Sequence, residues 1–104
     1  MNAKLAEQKL KGMLKVSNIP SKASYGPGEV QRIMGISDRT FWRLVAAYEM
    51  DPLTETLIVP ACLDSYMLSR SRRVRYDELV SYLDRNQTWE RVNAVDPRQI
   101  DLFG

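Results

Sequence analysis

Arginine is the side chain best suited to phosphate: planar, permanently charged, and carrying five donors in a fixed fork. This chain places arginines at short spacing in two regions. Arg39 and Arg43 lie four residues apart, one turn if the segment is helical, with the small Ala46 beyond them. Arg70, Arg72, Arg73 and Arg75 then put four positive charges into six residues with no acid among them. The chemistry these residues offer is recognition of a polyanion. Other chemistries are poorly provided for. The chain has no histidine and one cysteine, Cys62, which argues against a zinc site and against a Ser–His or Cys–His nucleophile. Asp77 and Glu78 are adjacent, so on a helix they diverge instead of pairing for acid–base work. Neither an enzyme nor a cofactor is expected. Cys62 follows Val59–Pro60–Ala61 and reads as a buried structural thiol.

The arginines need elements to position them. Val30, Ile33, Met34 and Ile36 give a short helix near 28–34 an apolar face, and Gly35 permits a sharp turn. Phe41, Leu44, Val45 and Tyr48 follow at i, i+3, i+4 and i+7, which predicts a second helix near 38–48. Ser37 suits its N-cap, and Asp38 in its first turn suits the helix dipole. Arg39 and Arg43 then fall on the face opposite the apolar stripe. Trp42, about 100° from Phe41, can pack at the edge of the core or touch a partner. Further on, Tyr66–Met67–Leu68 and Arg73–Val74–Arg75 flank Ser69–Arg72, a pattern for a hairpin near 66–75 with an arginine-loaded tip. The tip holds no Gly, Asn or Asp, so a two-residue primed turn is not expected. A last helix over 76–86 opens with Asp77–Glu78, turns Leu79, Tyr82 and Leu83 inward, and has Asn86 as its C-terminal cap.

Charge is segregated along the chain. The 104 residues carry a net +2, but residues 1–43 hold eight basic and three acidic groups, residues 44–68 carry −4, residues 69–76 carry +4 and residues 77–104 carry −3. Positive charge is thus concentrated on the N-terminal arm, the second helix and the hairpin, as an electrostatic footprint for a phosphate backbone requires. Glu49 to Ser65 is acidic and contains a strand-like Leu57–Ile58–Val59, which predicts an extra strand beside the hairpin or a short helix starting near Pro52. The longest apolar run, Leu57 to Leu63, is far too short to span a membrane, and the N-terminus lacks an apolar signal core. A cytoplasmic location is expected.

Taken in order, Tyr25–Gly26–Pro27–Gly28–Glu29–Val30, Met34–Gly35–Ile36–Ser37, Arg39–Thr40–Phe41–Trp42–Arg43 and Arg72–Arg73–Val74–Arg75–Tyr76–Asp77–Glu78–Leu79–Val80–Ser81–Tyr82–Leu83 resemble the winged helix-turn-helix of the excisionase and MerR-like group. The chain departs from that pattern in the long Glu49–Ser65 segment ahead of the wing. The resemblance covers about residues 24–86. It implies a mainly α fold with a small β-hairpin wing, and sequence-selective binding of double-stranded DNA by a bacterial or phage architectural factor or small transcription regulator. Arg39, Thr40, Trp42 and Arg43 would then meet the major groove, with Ser37 counted among the DNA-binding residues. Arg70, Arg72, Arg73 and Arg75 would meet the flanking backbone or minor groove. Two alternatives remain: the DNA-recognition subunit of a phage-type packaging machine, and a protein-interaction adaptor with the winged helix as scaffold.

The ends extend this domain. All five lysines lie in the first 22 residues, where Ala3, Ala6, Leu10, Met13 and Leu14 form a ragged apolar stripe weakened by Gly12. Residues 1–23 therefore form a basic arm, or a helix with a linker that packs on the domain or pairs with a second copy. The chain is expected to be a monomer or homodimer. In the tail, residues 87–104, Gln99–Ile100–Asp101–Leu102–Phe103 resembles the peptide by which bacterial replication proteins engage the sliding clamp. Leu102 and Phe103 would enter an apolar pocket while Gln99 bonds its rim, with Asp101 completing the motif. The tail can equally fold back on its own domain. A clamp or a recombinase is thus a further partner to consider beside DNA.

Overall fold

Apolar side chains at helical spacing set the order of the fold. The computed structural model describes the backbone of residues 3–93 and the side chains of residues 3–86. Along the chain run α1 (Ala3–Ser17), β1 (Ser24–Tyr25), α2 (Pro27–Met34), α3 (Asp38–Ala46), β2 (Tyr66–Leu68), β3 (Ser71–Arg75) and α4 (Tyr76–Asn93). The architecture is mainly helical with one small antiparallel sheet, ordered β1-β3-β2.

The core joins every element except the edge strand β2. Leu10 and Leu14 of α1, Val30 and Ile33 of α2, Phe41 and Leu44 of α3, Leu63, Val74 of β3 and Leu79 of α4 form one buried cluster around Tyr25. Each large apolar side chain so buried contributes roughly 1.5–3 kcal/mol. The N-terminal segment is part of this cluster: α1 lies against α4 and α2 with Ala6, Leu10 and Leu14 inward. It ends in a Schellman motif. Asn18 adopts a left-handed φ of 58°, its N–H donates to the Lys15 carbonyl, and that of Ile19 donates to the Leu14 carbonyl. Arg32 of α2 clasps the same end, donating from Nη2 to the Ser17 carbonyl at 2.9 Å. Gly12 sits mid-helix with open space where a Cβ would lie. Gly12→Ala should therefore raise stability by about 0.5–1 kcal/mol in urea unfolding, without a change of fold.

The α2–α3 pair follows the expected chemistry. Glu29 Oε1 accepts from the Gly26 N–H at 3.2 Å, and its carboxylate pairs with Lys22. That lysine holds the Glu29 carboxyl below its ordinary pKa, against the opposing effect of burial. Gly35 closes α2 at φ 66°, in the left-handed region that glycine enters without penalty, and the Ile36 N–H reaches back to the Gln31 carbonyl. Ser37 caps α3, its hydroxyl accepting from the Thr40 N–H at 3.1 Å.

Three expectations are corrected. Residues 49–65 form neither a strand nor a helix: a single bridge joins Met50 to Leu57, around a turn at 52–54 and a left-handed Glu55. The left-handed Glu55 ends the turn that begins at Pro52 before a helix can extend, and Pro60 lacks the backbone donor that a ladder continuing past Val59 would need. The segment is held from its far end, where Cys62 and Leu63 are buried and the Leu63 N–H donates to the Leu44 carbonyl. The hairpin does turn in two residues, since Leu68 pairs with Ser71. Ser69 takes φ 58° and no other residue of the turn is positive, the sign pattern of a type II′ turn. A serine there costs roughly 1–2 kcal/mol, which pairing of the flanking strands offsets. Finally, α4 does not stop at Asn86 but continues to Asn93, because residues 87–93 contain neither glycine nor proline. The Asn86 amide instead donates to the carbonyls of Pro60 and Tyr82, both at 2.8 Å.

Candidate nucleic-acid interface

The eight arginines between residues 3 and 86 fall into two groups according to what their guanidinium groups touch. Four hold the framework. Arg32 clasps α1. Arg85 bridges the Pro60 and Cys62 carbonyls to the buried Glu78 carboxylate, 2.8 Å from its Nη2. Arg73 donates to the Ser24 hydroxyl at 3.1 Å and to the Ser24 carbonyl at 2.9 Å, tying β3 to β1. Arg75 lies 3.2 Å from both Asp64 and Asp77. Asp77 and then Asp64 hold Arg75 even more firmly protonated than usual. The guanidinium groups of the other four, Arg39, Arg43, Arg70 and Arg72, make no hydrogen bond or ion pair among the described residues. They lie on α3 and at the hairpin tip.

Strand alternation explains the division within the hairpin. Val74 points into the core, so Arg72, two residues away, shares its face, while Arg73 and Arg75 project from the other. Arg72 sits opposite Met67 and Arg73 opposite Tyr66. Counting the four arginines as one basic tip overlooks this alternation, although Val74 as a core residue was enough to reveal it.

On α3 the helical period gathers Trp42, Ala46, Arg39 and Arg43 on the side away from Phe41 and Leu44. Trp42 is 42% exposed, which resolves its placement in favour of the surface. Its orientation is fixed twice. The indole Nε1 donates to Asp38 Oδ1 at 3.2 Å, and the ring meets Phe41 edge to face with centroids 5.0 Å apart. Asp38 Oδ1 also accepts from Gln31 Nε2 at 3.0 Å. Ser37 and Thr40 turn their hydroxyls to each other at 3.0 Å as part of the cap, so they shape the start of α3.

Between α3 and the hairpin lies an open groove of about 380 Å³, lined by Pro27, Trp42, Met67, Arg70, Ser71 and Arg72. It brings together three of the residues singled out from sequence, Trp42, Arg70 and Arg72, and adds Pro27, Met67 and Ser71; of these, cross-strand pairing with Arg72 accounts for Met67. The Arg72 Nε is buried without an acceptor. Cys62 lies elsewhere. It is buried at the far end of the 49–65 segment with its thiol donating to the Val59 carbonyl, and burial pushes its pKa up. Gln99, Asp101, Leu102 and Phe103 lie outside the described residues, as does any contact of theirs. Among the described residues no helix is long and apolar enough to cross a membrane.

No protein-family model matches the chain, and no significant match was found among curated proteins or among solved structures.

Proposed function

We propose that this protein binds double-stranded DNA as a winged helix-turn-helix of excisionase-like or MerR-like type, with α3 as recognition helix and the β2–β3 hairpin as wing. One observation carries the reading: the four arginines without a partner among the described residues are on α3 and the hairpin tip, while the other four brace the fold. A guanidinium that no protein acceptor engages is free to bond a phosphate or base edge with charge-assisted hydrogen bonds. In this reading Arg39 and Arg43 reach base edges from the exposed face of α3, and Ala46 keeps that face slim enough for a major groove. Arg70 and Arg72 contact the flanking backbone. Arg73 and Arg75 act indirectly, by holding the hairpin to β1 and to α4.

A selected site obtained from a random duplex pool, measured by fluorescence anisotropy at stated salt, tests the reading. Arg43→Ala should weaken that site by roughly 1–3 kcal/mol and broaden the selected sequence at one position. Wild-type affinity and an unchanged selected sequence in this variant would remove α3 from the recognition role.

A further inference from the structure

The groove between α3 and the hairpin has features that backbone contact with an intact duplex does not require. We propose that it seats a single unpaired nucleotide of DNA, the base against Trp42 and the phosphate against Arg70 and Arg72; this deepens the DNA-binding reading above and rests on it.

Three observations converge on this seat. Arg72 Nε is buried with no acceptor, although buried donors are almost always satisfied. A small outward shift of the Arg72 side chain would bring this donor to an anionic oxygen in the groove that its residue lines, and Arg70 at the turn adds a second unpaired cation to the same lining. Trp42 offers a large exposed aromatic surface whose rotamer is already set by Asp38 and Phe41, so stacking on it orders little that is not ordered beforehand. The volume of about 380 Å³ lies at the small end of the ~300–1,000 Å³ range of ligand pockets, suited to one ring and its phosphate and not to a duplex width.

The remaining lining agrees. Met67 and Pro27 supply apolar walls for a ring edge or a sugar. Asp38 is the one acid on α3, and its Oδ1 is engaged by both Trp42 and Gln31. A base inside a duplex is covered on both faces by its neighbours, so only an unstacked base can use the indole. The chemistry therefore selects a gap, a bulge or a single-stranded stretch next to the duplex that α3 grips. Stacking of this kind tolerates any base.

The chain's other tryptophan is Trp89, so a Trp89→Phe protein reports on Trp42 alone. Its emission is followed during titration with four probes: thymidine 5′-monophosphate, a 5′-phosphorylated thymidine tetramer, a blunt duplex, and the same duplex carrying a three-nucleotide gap. Affinities for the two duplexes are measured in parallel by anisotropy. The tetramer and the gapped duplex should quench Trp42, and the gapped duplex should bind roughly tenfold tighter than the blunt one. Arg72→Gln should weaken both duplexes, and Trp42→Ala, checked for an unchanged melting curve, should abolish only the preference for the gap. Quenching by the mononucleotide as strongly as by the tetramer would make the seat one for free nucleotides and overturn its role in DNA. Equal affinity for gapped and blunt duplexes, with no quenching by the tetramer, would overturn the seat while leaving the duplex reading intact. Failure of every DNA probe to bind at low salt would overturn both.

Discussion

Replacing Arg39, Arg43, Arg70 and Arg72 together by glutamine should reduce DNA affinity roughly a thousandfold at physiological salt, on the order of 1 kcal/mol for each lost contact. The same protein should melt within a few degrees of wild type, because none of the four guanidiniums makes a hydrogen bond or ion pair with another described residue. Arg73→Gln is the informative contrast. It removes two hydrogen bonds to Ser24 that join β1 to β3, so its effect should appear first in the melting curve and only secondarily in affinity. Anisotropy titrations and thermal unfolding of the two proteins side by side measure both quantities. A quadruple variant that unfolds, or that binds as tightly as wild type, would contradict the division of the arginines on which the interface rests.

Arg85→Ala should be the most destabilising of the polar substitutions, by about 3–5 kcal/mol. The Glu78 carboxylate that it pairs with is buried, and loss of Arg85 leaves that charge with the Asp64 N–H as its remaining hydrogen-bond donor among those described here. The same guanidinium satisfies the carbonyls of Pro60 and Cys62, which tether the 49–65 segment to α4. Since Leu63 on that segment fills the core, loosening the tether also loosens the packing of α3. Arg85→Ala with Glu78→Gln should recover part of the loss, since the buried charge goes with its partner. Urea unfolding of the single and double variants checks both. A single variant within 1 kcal/mol of wild type would show that the network contributes little.

What the sequence revealed and what it hid follow the reach of the interactions. The α2–α3 pair was legible because its determinants are local: the left-handed Gly35, the Ser37 cap and an apolar stripe at helical spacing each act within a few residues. The segment 49–65 was not, because its Leu57–Ile58–Val59 run resembles a strand locally. Its actual course depends on Arg85 and Asn86, about 25 residues away in sequence. The hairpin lay between these cases. Its place is clear from charge and spacing, but the run of arginines hides that the buried Val74 sets Arg72 on one face and Arg73 and Arg75 on the other. The two-residue turn ran against residue preference, since Ser69 adopts a conformation usually left to glycine or asparagine. The placement of Trp42 was ambiguous from helical angle alone; the indole is exposed and its orientation is set by Asp38.

The measurement that bears most directly on the account is the salt dependence of duplex binding by the wild-type chain. In the proposed interface Arg70 and Arg72 meet phosphates, so log Kd against log salt should have a slope of at least about 2 between 50 and 200 mM, each neutralised phosphate adding roughly 0.9. The quadruple arginine variant should flatten that slope by most of its value. A flat dependence in the wild type, or no retention of duplex DNA at 50 mM salt, would contradict the proposed interface.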